Sequence, residues 1–210
     1  ILVFLGGNSL TQLSVKPNFN AVQRYQGWVK HIEAIYHPNQ VGDVMRRAFH
    51  ALRNGAPGPV VIELISDVCN QNISEKAQNY TSPRLTKQMP EPLEIEATAD
   101  ALLASKTPMI WAGAGVLFSG SSDALKKLSQ LTSIPVFCTM PGKSGFDERD
   151  PLSLGSGCGT TTQMAHEWLK YSDVILALGS SLTRSPYAQA IPQGKILIQN
   201  TNNPDDINKD

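Results

Sequence analysis

The string GAPGPVVIELISDV at residues 55–68 restricts the fold more than any other part of the chain. Pro57 and Pro59 have fixed φ and no N–H, and Gly58 between them can take a positive φ. The segment therefore reads as a turn. Val60, Val61, Ile62, Leu64 and Ile65 follow as a nearly continuous apolar run, ended by Asp67. Such a run suits a strand covered on both faces, as in a parallel sheet. Upstream, Val41, Val44, Met45, Ala48 and Leu52 recur on one face of a helix over 40–54, and Gly55 is a natural C′ residue. With an apolar strand at 1–5, stopped by Gly6-Gly7-Asn8, the pattern is parallel βα.

Between these elements, 9–20 reads as a loop, and 23–35 carries Trp28, Lys30 and His31. Residues 69–92 are polar, hold Pro83, Pro90 and Pro92, and show no apolar period, so a linker and domain boundary are expected there. A second α/β unit follows. Ile95, Ala99, Leu102 and Leu103 form the inner stripe of a helix over 93–105. Strands are expected at 108–112, 134–138, 173–178 and 195–199. Ser121 or Ser122 caps a helix with Leu125, Leu128 and Leu131 inside. Thr160 or Thr161 caps another, carrying Met164, Trp168 and Leu169. Four strands alternating with helices predict a parallel, doubly wound sheet.

Composition narrows the function. Eighteen basic and 18 acidic residues balance to zero net charge, with no basic tract to favour nucleic acid or an anionic membrane. The longest apolar run, near 108–118, is too short to span a bilayer. Cys69, Cys138 and Cys158 are scattered and odd in number, which predicts free thiols in a reducing cytoplasm. The four histidines and three cysteines show no metal-ligand spacing. Residue 1 already lies in a strand, and 205–210 is a charged stop. A piece of a longer chain is therefore expected, cut mid-domain.

In open parallel sheets, ligands bind beyond the carboxyl ends of the strands. Three loops there are rich in glycine or hydroxyls. Gly113-Ala114-Gly115 could bring backbone N–H groups to a phosphate, but Phe118 stands at the third position of a G-x-G-x-x-G, and a plain strand-to-helix turn is the alternative. Residues 155–161 hold three glycines and two threonines, among them Gly159 and Thr160. GSSLTR at 179–184 offers Gly179, hydroxyls and Arg184. Together they predict a dinucleotide-sized pocket. Cys138-Thr139 stands where an NAD site would place an acid for the ribose, which counts against an NAD-linked enzyme.

The string Gly-x-Pro-Gly-Pro-Val, with its apolar run and Asp67-Val68, resembles the end of the pyrimidine-binding domain of thiamine-diphosphate (ThDP) enzymes, most nearly the acetolactate synthase group. From Pro108 onward the chain resembles their central domain. The matching strings are the strand and turn through Gly115, the Thr139-x-x-Gly142-Lys143 loop, the loop closing on Gly159-Thr160, the DVILALG strand and the final run to Lys209. The resemblance implies three regions: 1–68 as the C-terminal part of the pyrimidine-binding domain, 69–92 as linker, and 93–210 as a central domain truncated at its C-terminus. The implied fold is α/β, a parallel doubly wound Rossmann-like central domain preceded by a partial α/β domain.

The same resemblance implies a ThDP- and Mg2+-dependent decarboxylase or carboligase acting on a 2-keto acid, working as a homodimer or homotetramer. It implies an active-site loop at Phe19 and Asn20 and a strand ending in Lys30-His31, with Lys30 a third substrate-site residue that could serve as a cation beside His31; a solvated strand end is the alternative reading of that pair. It implies FAD, or another nucleotide, at Gly113, Ala114, Gly115, Thr139, Gly179 and Arg184. The chain departs from the flavin-bearing pattern at Ala56 and Ser181, where that pattern has arginines. The catalytic glutamate is expected upstream of residue 1, and no metal-binding Gly-Asp-Gly occurs, so this stretch alone is expected to be inactive. A freestanding Rossmann-like nucleotide-binding or regulatory module is the alternative.

Overall fold

A computed structural model describes residues 1–81, 88–184 and 186–209. The chain divides into two compact units, 1–87 and 88–210. Among the described residues no helix is long and apolar enough to cross a membrane.

The first unit is a three-stranded parallel sheet. Its strands are β1 (Leu2–Gly7), β2 (His31–Ile35) and β3 (Val60–Ile65), in the order β1-β3-β2. The Pro-Gly-Pro turn delivers the chain into the central strand. Val60 and Ile62 are fully buried and pack with Val44 and Ala48 of helix α2 (Val41–Arg53). Asn54 ends α2 and Gly55 follows at φ +66°, a left-handed conformation that suits glycine. Helix α1 (Ala21–Tyr25) lies between β1 and β2, and short helices α3 (Ser66–Cys69) and α4 (Glu75–Gln78) follow β3.

Two expectations change here. β1 runs on through Gly6 and Gly7, because both pair with β3 at Leu64 and Ile65. Lys30-His31 opens β2 rather than closing a strand. Residues 26–28 form a turn with Gly27 at φ +86°, and the ladder starts at His31 opposite Val60. The expected linker, 69–92, contains α4 and the first residue of the next helix, while its residues 82–87 lie outside the described residues.

The second unit is a five-stranded parallel sheet: β4 (Met109–Ala112), β5 (Val136–Thr139), β6 (Ser153–Gly157), β7 (Val174–Leu178) and β8 (Ile196–Asn200). The spatial order is β6-β5-β4-β7-β8. Chain order runs outward from β4 to one side, then restarts at β7 on the other. This is a doubly wound, Rossmann-like sheet with its switch point between β4 and β7. Helices α5 (Pro92–Ala104), α6 (Ala114–Phe118), α7 (Ser122–Thr132) and α8 (Gln163–Tyr171) complete it.

The sequence predicts four strands here, and the fifth is β6. Its residues, SLGSG, are poor strand formers, and only Leu154 carries a buried apolar side chain. Pairing with β5 holds it in place, with a register shift between Val136 and Cys138. Thr162 caps α8, rather than Thr160 or Thr161: its Oγ1 accepts from the Ala165 N–H at 3.1 Å. Leu131 of α7 is 85% exposed, not inside. Ser129 takes the inward position, fully buried, and its hydroxyl donates to Ile134 O at 2.7 Å. On α5 only Leu102 reaches the core, while Leu103 is 84% exposed. Apolar residues go most of the way round that helix, so its sequence marks no single inner face.

Asp173, at the entry to β7, organises the turn before β4. Its carboxylate accepts from the Ser105 hydroxyl, from Lys106 N at 2.8 Å, from Thr107 N at 3.1 Å and from Val174 N at 2.9 Å. These donors, the Ser105 hydroxyl foremost, hold the carboxyl well below the usual carboxylate range. A native-state pKa below the unfolded one adds stability that is present above about pH 4 and is lost as the pH falls towards the native value. The deficit of Asp173→Asn relative to the parent should therefore be larger at about pH 7 than at about pH 3, read from urea midpoints.

Candidate functional site

In the second unit the carboxyl ends of β4 and β7 meet through glycines. Gly113 donates its N–H to Leu178 O at 2.9 Å, and Gly115 donates to Gly179 O at 2.9 Å. A Cβ on Gly113 would lie 2.3 Å from Gly179 O, and one on Gly115 would lie 2.5 Å from Gly179 Cα. Gly179 itself sits at φ +60°. Gly142 closes the third side, where a Cβ would lie 2.7 Å from Ala112 O. Thr139 Oγ1 accepts from Gly142 N at 3.2 Å and so shapes that turn.

The structure thus brings Gly113, Ala114, Gly115, Thr139 and Gly179 into one knot at the switch point. The N–H groups of Gly113 and Gly115 are spent inside it, and the absent Cβ atoms allow the close backbone packing. Gly159 and Thr160 lie on the β6–α8 connection. The Gly159 N–H donates to Tyr187 O at 2.9 Å, and Thr160 O accepts from Cys158 N at 3.2 Å. Arg184 is exposed, five residues beyond Gly179.

Sequence reasoning misses a polar triad beside this edge. Lys143 Nζ donates to Glu148 Oε1 at 2.7 Å and to Ser156 Oγ at 3.1 Å, and Ser156 Oγ donates to Glu148 Oε1 at 2.6 Å. The Lys143 ammonium, then the Ser156 hydroxyl, lower the Glu148 carboxyl. The β5–β6 pairing brings Ser156 to the Lys143–Glu148 pair, so no local motif announces the triad. Two thiols differ by environment. Burial raises Cys138, whereas the Thr160 N–H and hydroxyl lower Cys158.

In the first unit, Phe19 is half exposed and meets Tyr25 edge-on, with ring centroids 6.1 Å apart. Asn20 caps α1, its Oδ1 accepting from Gln23 N at 2.9 Å. Lys30 lies at the amino end of β2, whereas the loop leading to Phe19 leaves the carboxyl end of β1. The structure therefore pairs Phe19 with Asn20 and sets Lys30 apart. Lys30 Nζ donates to Asn54 O and its backbone N–H to Pro59 O at 2.9 Å, tying β2 to the turn before β3. Partial desolvation lowers its pKa. Glu33 is held by Arg47, whose Nε donates at 2.9 Å, with His31 Nε2 at 3.3 Å. Among the described residues no group of three or more His, Cys, Asp or Glu is placed to hold a metal ion.

The family model for the central domain of thiamine pyrophosphate enzymes matches residues 95–210. The chain belongs to the thiamine pyrophosphate (ThDP) enzyme family. Its relatives within it include the probable acetolactate synthase large subunit of Methanocaldococcus jannaschii, 33% identical over 178 residues, covering 80% of this chain and 30% of that protein. Acetolactate synthase isozyme 3 large subunit of Escherichia coli K12 is 26% identical over 182 residues, covering 80% of this chain and 31% of that protein. Glyoxylate carboligase of E. coli O157:H7 is 30% identical over 138 residues, covering 65% of this chain and 23% of that protein. The chain spans about 30% of the length of the synthases it matches. In this ThDP-family chain the match takes in all five strands of the second sheet and the glycine knot between β4 and β7.

Two measurements test the site geometry. Gly113→Ala should lower stability by about 2–3 kcal/mol, or prevent folding, because its Cβ meets backbone. Gly120→Ala, at φ +66° with open space around it, should lose about 1–2 kcal/mol. Denaturant unfolding reads both. Under native conditions at neutral pH, Cys158 should be alkylated before Cys138, as peptide mass analysis would show.

Proposed function

We propose that this chain is part of a ThDP- and Mg2+-dependent enzyme that decarboxylates a 2-keto acid or joins it to an acceptor, in the manner of acetolactate synthases. The observation that carries this reading is the central-domain match over 95–210 on a sheet of order β6-β5-β4-β7-β8. Relatives named as synthases and a carboligase support the reaction class. ThDP supplies the carbon nucleophile and electron sink for such chemistry. The described residues do not fit its metal–diphosphate group, since no three or more His, Cys, Asp or Glu among them are placed to hold a metal ion.

The contribution of this chain is then architectural and steric. Phe19 and Asn20 sit on a shaped loop and line the substrate cavity in this proposal. The second unit acts as a scaffold built on the glycine knot. A nucleotide, FAD included, would have to rest on the loops beyond that knot, around Thr160 and Arg184, because the Gly113 and Gly115 N–H groups are already engaged. Assembly as a homodimer or homotetramer completes the proposal.

The test uses the protein expressed from its full reading frame. ThDP- and Mg2+-dependent consumption of pyruvate or glyoxylate, abolished by chelation and restored by Mg2+, is the expected outcome. A protein that binds a nucleotide tightly but consumes no 2-keto acid would overturn it in favour of a freestanding nucleotide-binding module. Visible flavin absorbance of the purified protein decides the FAD question separately.

A further inference from the structure

Glu63 is a carboxylate in the middle of an otherwise apolar strand, and it is 3% exposed. No other acidic or basic side chain is buried among the described residues. A valine or leucine would suit β3 better, since burying a carboxyl is unfavourable unless a partner compensates. The partner is a backbone amide. Ala21 N, fully buried at the first position of α1, donates to Glu63 Oε1 at 3.3 Å. Such a first-turn N–H has no acceptor within its own helix. Opposite the carboxyl stands Gly7, where a Cβ would come within 3.0 Å of Glu63 Oε1 and 2.8 Å of Ile65 Cδ1. The neighbouring strand thus leaves room for the side chain.

The other end of the same loop is held in a similar way. Asp67 Oδ2 accepts from Ser9 Oγ at 3.0 Å and from Leu10 N at 2.7 Å. Just before the first anchor, Asn8 Nδ2 donates to Asn18 Oδ1 at 2.9 Å and closes the loop on itself. Two carboxylates, one in β3 and one just after it, therefore fasten residues 9–21 at both ends. Phe19 and Asn20 come immediately before the Glu63 anchor.

We propose that Glu63 is a positioning residue: through the Ala21 amide it sets where Phe19 and Asn20 stand, and so how tightly substrate is held. The kinetic half rests on the ThDP reading above, and the structural half does not. The test uses the full-length protein with Glu63→Leu, Glu63→Gln and Gly7→Ala. Gln keeps an acceptor oxygen, Leu removes it, and Gly7→Ala crowds the carboxyl, and Ile65 Cδ1 beside it, while residue 63 stays glutamate. Hydrogen exchange of the peptide covering 19–25 should quicken on the order of ten-fold in Glu63→Leu, the size expected for one lost hydrogen bond, and stay within about three-fold in Glu63→Gln. In steady-state turnover, Glu63→Leu should raise KM for the 2-keto acid about ten-fold with little change in kcat, and Glu63→Gln should restore it.

Unchanged exchange in Glu63→Leu overturns the proposal, as does Glu63→Gln behaving like Leu. Should Glu63→Leu fail to fold, Gly7→Ala reads the same contact: faster exchange confined to 19–25 supports the clamp, and unchanged exchange overturns it. A full-length protein with no 2-keto-acid turnover overturns the functional reading, while the exchange measurement still decides the clamp.

Discussion

The second unit depends on one close approach, the backbone of β4's exit turn against that of β7. At the switch point of a doubly wound sheet, two adjacent strands send their chains to opposite faces. The turns must part within one strand spacing. Here they part with Gly115 N bonded to Gly179 O and no room for a Cβ at 113, 115 or 179. The order β6-β5-β4-β7-β8 requires β4 and β7 side by side, and the glycines let their exits coexist. Gly142 brings the exit of β5 into the same knot.

The first unit works on a different constraint. β3 is the middle strand and is buried along almost its whole length, so a polar side chain within it must be matched. Glu63 is matched by a loop amide, and Asp67, just beyond the strand, does the same at the loop's other end. The strand that provides most of the apolar packing also provides the anchors for the segment carrying Phe19 and Asn20. Packing and placement are joined in one element, so β3 cannot be varied for one without affecting the other.

Elements legible in the sequence were those whose signal is local and repeated. The Pro-Gly-Pro turn, the apolar run of β3, the stripe of α2 and the left-handed Gly55 each follow from nearest neighbours in the chain. What escaped depended on partners far away. β6 is a strand because β5 lies beside it, not because Ser153 to Gly157 favour extension. Ser129 is buried because Ile134 O needs a donor. Thr160, Thr161 and Thr162 are indistinguishable as caps until one of them reaches Ala165 N. Of the site candidates, Phe19 and Asn20 adjoin in sequence and in space. Lys30, only ten residues on, is carried to the opposite end of the strands because one β-strand reverses nothing and the chain must cross back to run parallel. Glu63 was hidden by its company, since one acid inside an apolar run reads as strand.

Glycine-rich turns after parallel strands are commonly taken as phosphate sites, and the reasoning is sound only when the N–H groups are free to bind. A phosphate cradle needs glycine so that backbone can approach a ligand; a switch-point knot needs glycine so that backbone can approach backbone. Both produce a Gly-x-Gly after a strand. The difference lies in where the amides point. At Gly113 and Gly115 they point across to Leu178 O and Gly179 O, so the first hydrogen-bond partner of this turn is the neighbouring strand's exit. The amides of Gly113 and Gly115 are thus committed to the backbone of the neighbouring exit, and the exposed side chains of Thr160 and Arg184 lie farther along the adjoining loops.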